Sequence, residues 1–185
     1  MQGHDWVERA GELFEAAMFG GDASALDRSD AVLDAVEAPL SMSRGKVLHV
    51  RFLNDREENN QELVLFERAA ELYKRLGNAS GEADALFWIG CWHQVVKGDG
   101  VTGEPYFERS YALAKSVDDR MTMSHTIRHL GFADKDAGHF DRARVATSMP
   151  PTSGCRPWTS CARPATSSPA ARRSARRASR PSIWP

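Results

Sequence analysis

From residue 5 to residue 146 apolar residues return every three or four positions, and no stretch alternates apolar with polar long enough to make a strand. The chain therefore reads as a succession of amphipathic helices. Trp6, Ala10, Leu13, Phe14 and Ala17 share one face of the first, and Gly20-Gly21-Asp22 ends it and caps the next. The second carries Leu26, Ala31, Val32, Leu33 and Val36 and is expected to stop before Pro39. A third runs from Ser43 to Arg56 with Val47, Leu48, Val50, Phe52 and Leu53, and the polar run Asp55 to Asn60 forms a turn. The fourth, with Leu63, Phe66, Ala69, Leu72 and Leu76, closes at Gly77-Asn78. The fifth, from Gly81 to Val96, is the most apolar and is expected to be buried on more than one side. Lys97-Gly98-Asp99-Gly100 breaks it; a sixth helix around Phe107 leads to Asp118-Asp119, a seventh from Met121 to Phe132 turns at Gly138-His139, and an eighth begins at Phe140.

A short phrase repeats on this frame. Phe66-Glu67-Arg68-Ala69 returns as Phe107-Glu108-Arg109-Ser110 and Phe140-Asp141-Arg142-Ala143, with a weaker copy at Leu26-Asp27-Arg28-Ser29. Shifting residues 66–90 by 41 positions also lays Leu72 on Leu113, Lys74 on Lys115, Ile89 on Leu130 and Gly90 on Gly131. Repeats of this length predict a helical solenoid, in which a small residue on one helix of a pair admits the aromatic that opens the second. The phrase itself reads as structural, its Glu and Arg pointing apart into solvent.

Leu130-Gly131, Gly138-His139-Phe140 and Ala143 resemble the tetratricopeptide pattern, and Ala16-Ala17, Gly21-Asp22, Leu26 and Ser29 follow the same spacing. The intervals from Gly90 to Phe107 and from His49 to Phe66 are longer, and resemble the long repeats of actinobacterial regulatory proteins. The resemblance implies an all-α, right-handed solenoid of antiparallel helix pairs over residues 1–146, about four pairs with the last incomplete. It further implies that the first helix of each pair lines a concave groove. Registered on the Leu-Gly position, that groove is lined by Phe14 and Met18, then by Lys46, Val50 and Asn54. Asp84, Phe87 and Gln94 follow, then His125, Arg128 and Lys135. Aromatics beside mixed charges suit an extended peptide or a helix from a protein partner.

Charge divides the chain. Up to Ala146 there are 17 basic and 25 acidic residues, whereas Thr147 to Pro185 holds seven arginines and no lysine or acid. That Ser/Pro/Ala/Arg-rich tail has no Leu, Val or Phe to pack, so its composition predicts disorder. Its abrupt onset points to a frameshifted or truncated reading of a longer repeat gene; a solvated linker is the competing account. Weak non-specific contact of Arg172, Arg173, Arg176, Arg177 and Arg180 with nucleic acid is the third. No apolar run is long enough for a membrane span and no leader precedes the first helix, so a cytoplasmic protein is expected, and the three unpatterned cysteines agree.

Candidate chemistry is sparse. His125 and His129 stand four apart, the spacing of a metal pair, but no third ligand or intervening glutamate accompanies them, and no metal is expected. Cys91 and His93 lie on divergent sides of a helix, which favours a buried structural thiol over a nucleophile. Gly98, Gly100 and Gly103 lack the Gly-Lys-Ser or Gly-Lys-Thr of a phosphate loop, and Asp134 and Asp136 lack the setting of a calcium loop. The reading is a protein-interaction adaptor with no cofactor and no catalytic activity. The alternative is a sensor segment of a transcriptional regulator that binds a small effector in the groove. An unfinished last pair, leaving Ile127, Leu130 and Phe132 uncovered, predicts self-association.

Overall fold

A computed structural model describes residues 5–136, Gly138 and Asp141. These residues form six α-helices and no strand. They are α1 (Asp5–Met18), α2 (Ser24–Asp55), α3 (Gln61–Arg75), α4 (Ala79–Cys91), α5 (Gly100–Ser116) and α6 (Arg120–Asp136), with a π-helical segment (Trp92–Lys97) continuing α4. Each helix packs on its successor, and α4 also meets α6. None of them is long and apolar enough to cross a membrane. The helix expected from Phe140, the basic segment 147–185 and its arginines lie outside the described residues.

Short acidic and amide side chains start the helices. Asn78 accepts the Gly81 N–H at 2.9 Å, Asp99 the Thr102 N–H at 3.0 Å and Asp119 the Thr122 N–H at 3.1 Å. Each occupies an otherwise orphaned donor of a first turn. At the end of α3, Gly77 adopts φ +64°, which lets the Asn78 N–H return to the Tyr73 carbonyl at 2.9 Å.

Pro39 does not stop a helix: the expected second and third helices are one, α2, which passes through Pro39. A proline ring inside a helix costs about 3 kcal/mol and removes the N–H that would bond to the Ala35 carbonyl. Packing outweighs that cost, because Ala38 (0% exposed), Ser41 and Met42 on both sides of the proline are buried on one face. Arg68 also departs from the solvated role expected for the repeated phrase. It binds Glu37 of α2 through two nitrogens, at 2.8 and 2.9 Å, while its sequence neighbour Glu67 stays exposed.

The core is built on the phenylalanines of that phrase. Phe66 and Phe107 are fully buried. A Cβ on Gly45 would lie 2.6 Å from the Phe66 ring, and one on Gly90 2.7 Å from the Phe107 ring, so each ring rests directly on a glycine backbone. For Gly90 and Phe107 this is the expected small-residue fit. For Phe66 the small residue is Gly45, one turn before the His49 register read from the sequence, because α2 runs unbroken past Pro39. As expected, α4 is buried on several sides, with Ala83, Ala85, Leu86, Phe87, Ile89 and Gly90 all covered.

The shift of 41 positions that aligns the sequence copies carries contacts as well as residue types. Phe66 stacks on Trp88 at 5.6 Å, and the equivalent Phe107 lies 5.3 Å from His129. Buried Ala69 and Ala85 correspond to Ser110 and Thr126, whose hydroxyls are 3.2 Å apart. Ser110 donates to the Ala83 carbonyl at 2.8 Å and Thr126 to the Thr122 carbonyl at 2.7 Å, so each hydroxyl proton is taken by a carbonyl rather than by the other hydroxyl. Tyr73 sits against Gly81, where the equivalents are the smaller Ala114 and Thr122, so this contact is not carried over by the shift.

Close approach at these glycines has a direct consequence. Gly45→Ala and Gly90→Ala are each expected to cost about 1–3 kcal/mol in urea unfolding, although alanine is the better helix former by about 1 kcal/mol. Gly11→Ala, with nothing within 4 Å of the new methyl, is expected to be stabilising. Stabilisation at all three positions would refute the account.

Candidate functional site

Side chains from α2, α4 and α6 converge on one set of rings and charges. Lys46 reaches from α2 to Asp84 of α4, Nζ to Oδ2 at 2.8 Å, and its ammonium lies 5.4 Å from the centre of the Trp88 ring. Both charges are about two-fifths exposed (40% and 37%), so the pair contributes less than about 1 kcal/mol and remains open to exchange. On α6 His125 meets the edge of Phe87 at 5.7 Å. Burial, and after it the Arg128 cation, holds the His125 imidazole below its ordinary range, with the Asp84 carboxylate acting in the opposite direction.

Beneath this layer His129 is packed against Phe87 and Phe107, at 5.1 and 5.3 Å. Burial lowers its pKa to about 3, so the ring is neutral at ordinary pH. Its Nδ1 is 2.7 Å from Gln94 Oε1, and Gln94 Nε2 donates to the His129 carbonyl at 3.1 Å. An amide oxygen only accepts, so Nδ1 carries the proton. Gln94 thereby sets both the tautomer and the orientation of the ring. Gln94 lies in the π-helical segment.

Cys91 Sγ lies 3.8 and 3.9 Å from the two nitrogens of His129. Burial pushes the thiol well above its ordinary range, the opposite of what a nucleophile requires. His93, the sequence neighbour considered as its base, is instead stacked on Tyr106 at 5.4 Å. Among the described residues no three His, Cys, Asp or Glu side chains gather to hold a metal, His125 and His129 included.

A second buried pair supports the layer. His49 Nδ1 of α2 is 2.7 Å from Glu62 Oε1 of α3, with the two side chains 1% and 0% exposed. The His49 ring meets Trp88 edge-on at 5.2 Å, which fixes the platform under Lys46.

Of the residues singled out in the sequence, the structure thus brings Lys46, Asp84, Phe87 and His125 together, with Arg128 beside them on α6. Phe87 is only 4% exposed, a core side chain beneath the face. Gln94 is directed inward to His129. Asn54 and Lys135 are exposed near the C-terminal ends of α2 and α6, and Phe14, Met18 and Val50 are exposed on α1 and α2. Sequence reasoning missed Trp88, His49 and Glu62. The signal for Trp88 was present: 41 positions on it becomes His129, a second ring on the second repeated phenylalanine. No protein-family model, curated protein or solved structure matches the chain.

Two outcomes follow from the buried imidazoles. His129 titrates near 3 when folded against an ordinary 6.5, so the unfolded chain binds the extra proton between those values. Stability therefore falls as pH drops from 6.5 toward 3, by roughly 2 kcal/mol at pH 5, and His129→Gln removes that component. Urea unfolding of both proteins from pH 7 to 4 checks this, and parallel profiles would count against it. Glu62→Ala, which removes the carboxylate from the buried His49 Nδ1, is expected to cost about 3 kcal/mol, whereas the double exchange of His49 and Glu62 for leucines recovers most of the loss. The recovery is read from the same unfolding curves.

Proposed function

We propose that the protein is a helical-repeat interaction module of tetratricopeptide type, without chemistry of its own, and that it binds a peptide or helix of a protein partner across α2, α4 and α6. The observation that carries this reading is the Lys46–Asp84 pair seated on Trp88, beside His125 and Arg128. It places part-exposed charges of both signs over aromatic rings, on alternate helices. Such a surface offers a peptide backbone donors and acceptors and offers its side chains a ring to lie on. The recurrence of contacts at 41 positions supports the solenoid arrangement, since Phe107, which opens one copy, rests on Gly90 of the copy before it. The buried Cys91 thiol, held well above its ordinary range, supports a binding role over a nucleophilic one.

Lys46 and Arg128 are the informative positions, because Phe87 is a core residue whose truncation would report on stability. Peptides selected from a random display library on the immobilised protein are expected to lose affinity by about tenfold or more with Lys46→Glu or Arg128→Glu, at unchanged melting temperature. Binders indifferent to both substitutions would overturn the assignment of this face.

A further inference from the structure

On the outer side of α2, Leu26, Leu33, Leu40 and Val47 are 55%, 41%, 48% and 52% exposed. They recur every seven residues. Seven residues complete two helical turns to within about 20°, so the four side chains form one stripe along the helix. The residues of the same helix that pack inward, Met42, Gly45, His49 and Phe52, fall on the opposite side. An uncovered apolar stripe with this period over about 30 Å of helix supplies one of the two seam positions of a two-helix coiled coil, with Ser29, Val36, Ser43 and Val50 at the other.

The charges beside the stripe indicate what covers it. Four residues beyond each apolar position stand Asp30, Glu37, Arg44 and Arg51, all on the same flank, about 40° from the stripe. Their sign changes midway along the helix. In a parallel copy of α2 this flank would lie on the opposite edge of the seam from its counterpart, and the charges could not meet. An antiparallel copy with Leu40 on the two-fold axis sets Leu33 against Val47, and in the same register sets Asp30 against Arg51 and Glu37 against Arg44. Asp30, Arg44 and Arg51 are exposed and form no ion pair among the described residues. Glu37 already holds Arg68, and each of its oxygens retains a further lone pair for a second cation.

We propose that two copies of this chain dimerise by packing α2 against α2, antiparallel, about a two-fold axis at Leu40. A second copy is the occupant because the flank is complementary to its own reverse, the condition for an isologous interface. The surface is distinct from the Lys46–Asp84–His125 face, so either assignment can fail without the other.

Sedimentation velocity of the full chain at about 1–100 µM tests the proposal. Wild type is expected to dimerise, and Leu40→Glu to sediment as a monomer with unchanged circular dichroism. Asp30→Arg and Arg51→Glu, both at exposed positions, should each weaken the dimer roughly tenfold, since each places two like-charged pairs across the axis. Mixing those two variants restores both pairs in a heterodimer and should recover wild-type affinity. A wild-type monomer throughout the range, a dimer indifferent to Leu40→Glu, or a mixture no tighter than either variant alone would overturn it.

Discussion

Two phenylalanine rings lying directly on glycine backbones fix the separation of the helices. Phe66 on Gly45 and Phe107 on Gly90 leave no room for a methyl group, so α2 and α3, and then α4 and α5, approach as closely as the rings permit. The rest follows from that approach. Lys46 is the residue after Gly45, and the short reach to Asp84 depends on where the glycine puts it. Cys91 is the residue after Gly90, and His129 closes over the ring that the glycine admits.

Around these two fits the interior exchanges apolar for polar partners, and Ser110, Thr126 and His129 are each hydrogen-bonded, whereas Glu62 Oε2 and Trp92 Nε1 find no hydrogen-bond partner among the described residues. The Phe66–Trp88 stack becomes Phe107 with His129, and an alanine pair becomes the Ser110–Thr126 hydroxyl pair. Each exchange needs its own second partner: Gln94 for His129, the Ala83 carbonyl for Ser110. A buried polar pair adds little net stability when complete and costs much when broken, so such pairs act mainly against alternative registers of neighbouring helices. Helices that recur at 41 positions are exposed to that error, because a slipped register would still bury apolar residues. The His49–Glu62 pair has no polar counterpart in the next copy: the equivalents are Gly90 and Gly103. There Gly103 approaches the Gly90 carbonyl instead, so a polar clasp is replaced by backbone contact.

The long helix α2 faces two ways. Its inner edge contributes Lys46 and His49 to the face shared with α4 and α6, while its outer edge carries Leu26, Leu33, Leu40 and Val47. Pro39 lies between the two halves. A break there would have made two short helices, and neither would carry enough of the stripe to form a seam. The same continuity sets the register of Gly45 against Phe66.

The sequence alone determined the all-helical character, most of the helix ends and the role of the repeated phenylalanines. These depend on local periodicity, on capping by Asn78, Asp99 and Asp119, and on volume matching within one repeat, all of which are written in neighbouring residues. It also named Lys46, Asp84, His125 and Arg128. It did not reveal that α2 continues through Pro39, that Arg68 pairs with Glu37, that Phe87 is buried or that Gln94 turns inward. Leu26 and Leu33, apolar positions of the second expected helix, lie outside. Periodicity shows which residues share a face but not what lies against that face. A local cost of about 3 kcal/mol at a proline is decided by burial that residues distant in the chain supply.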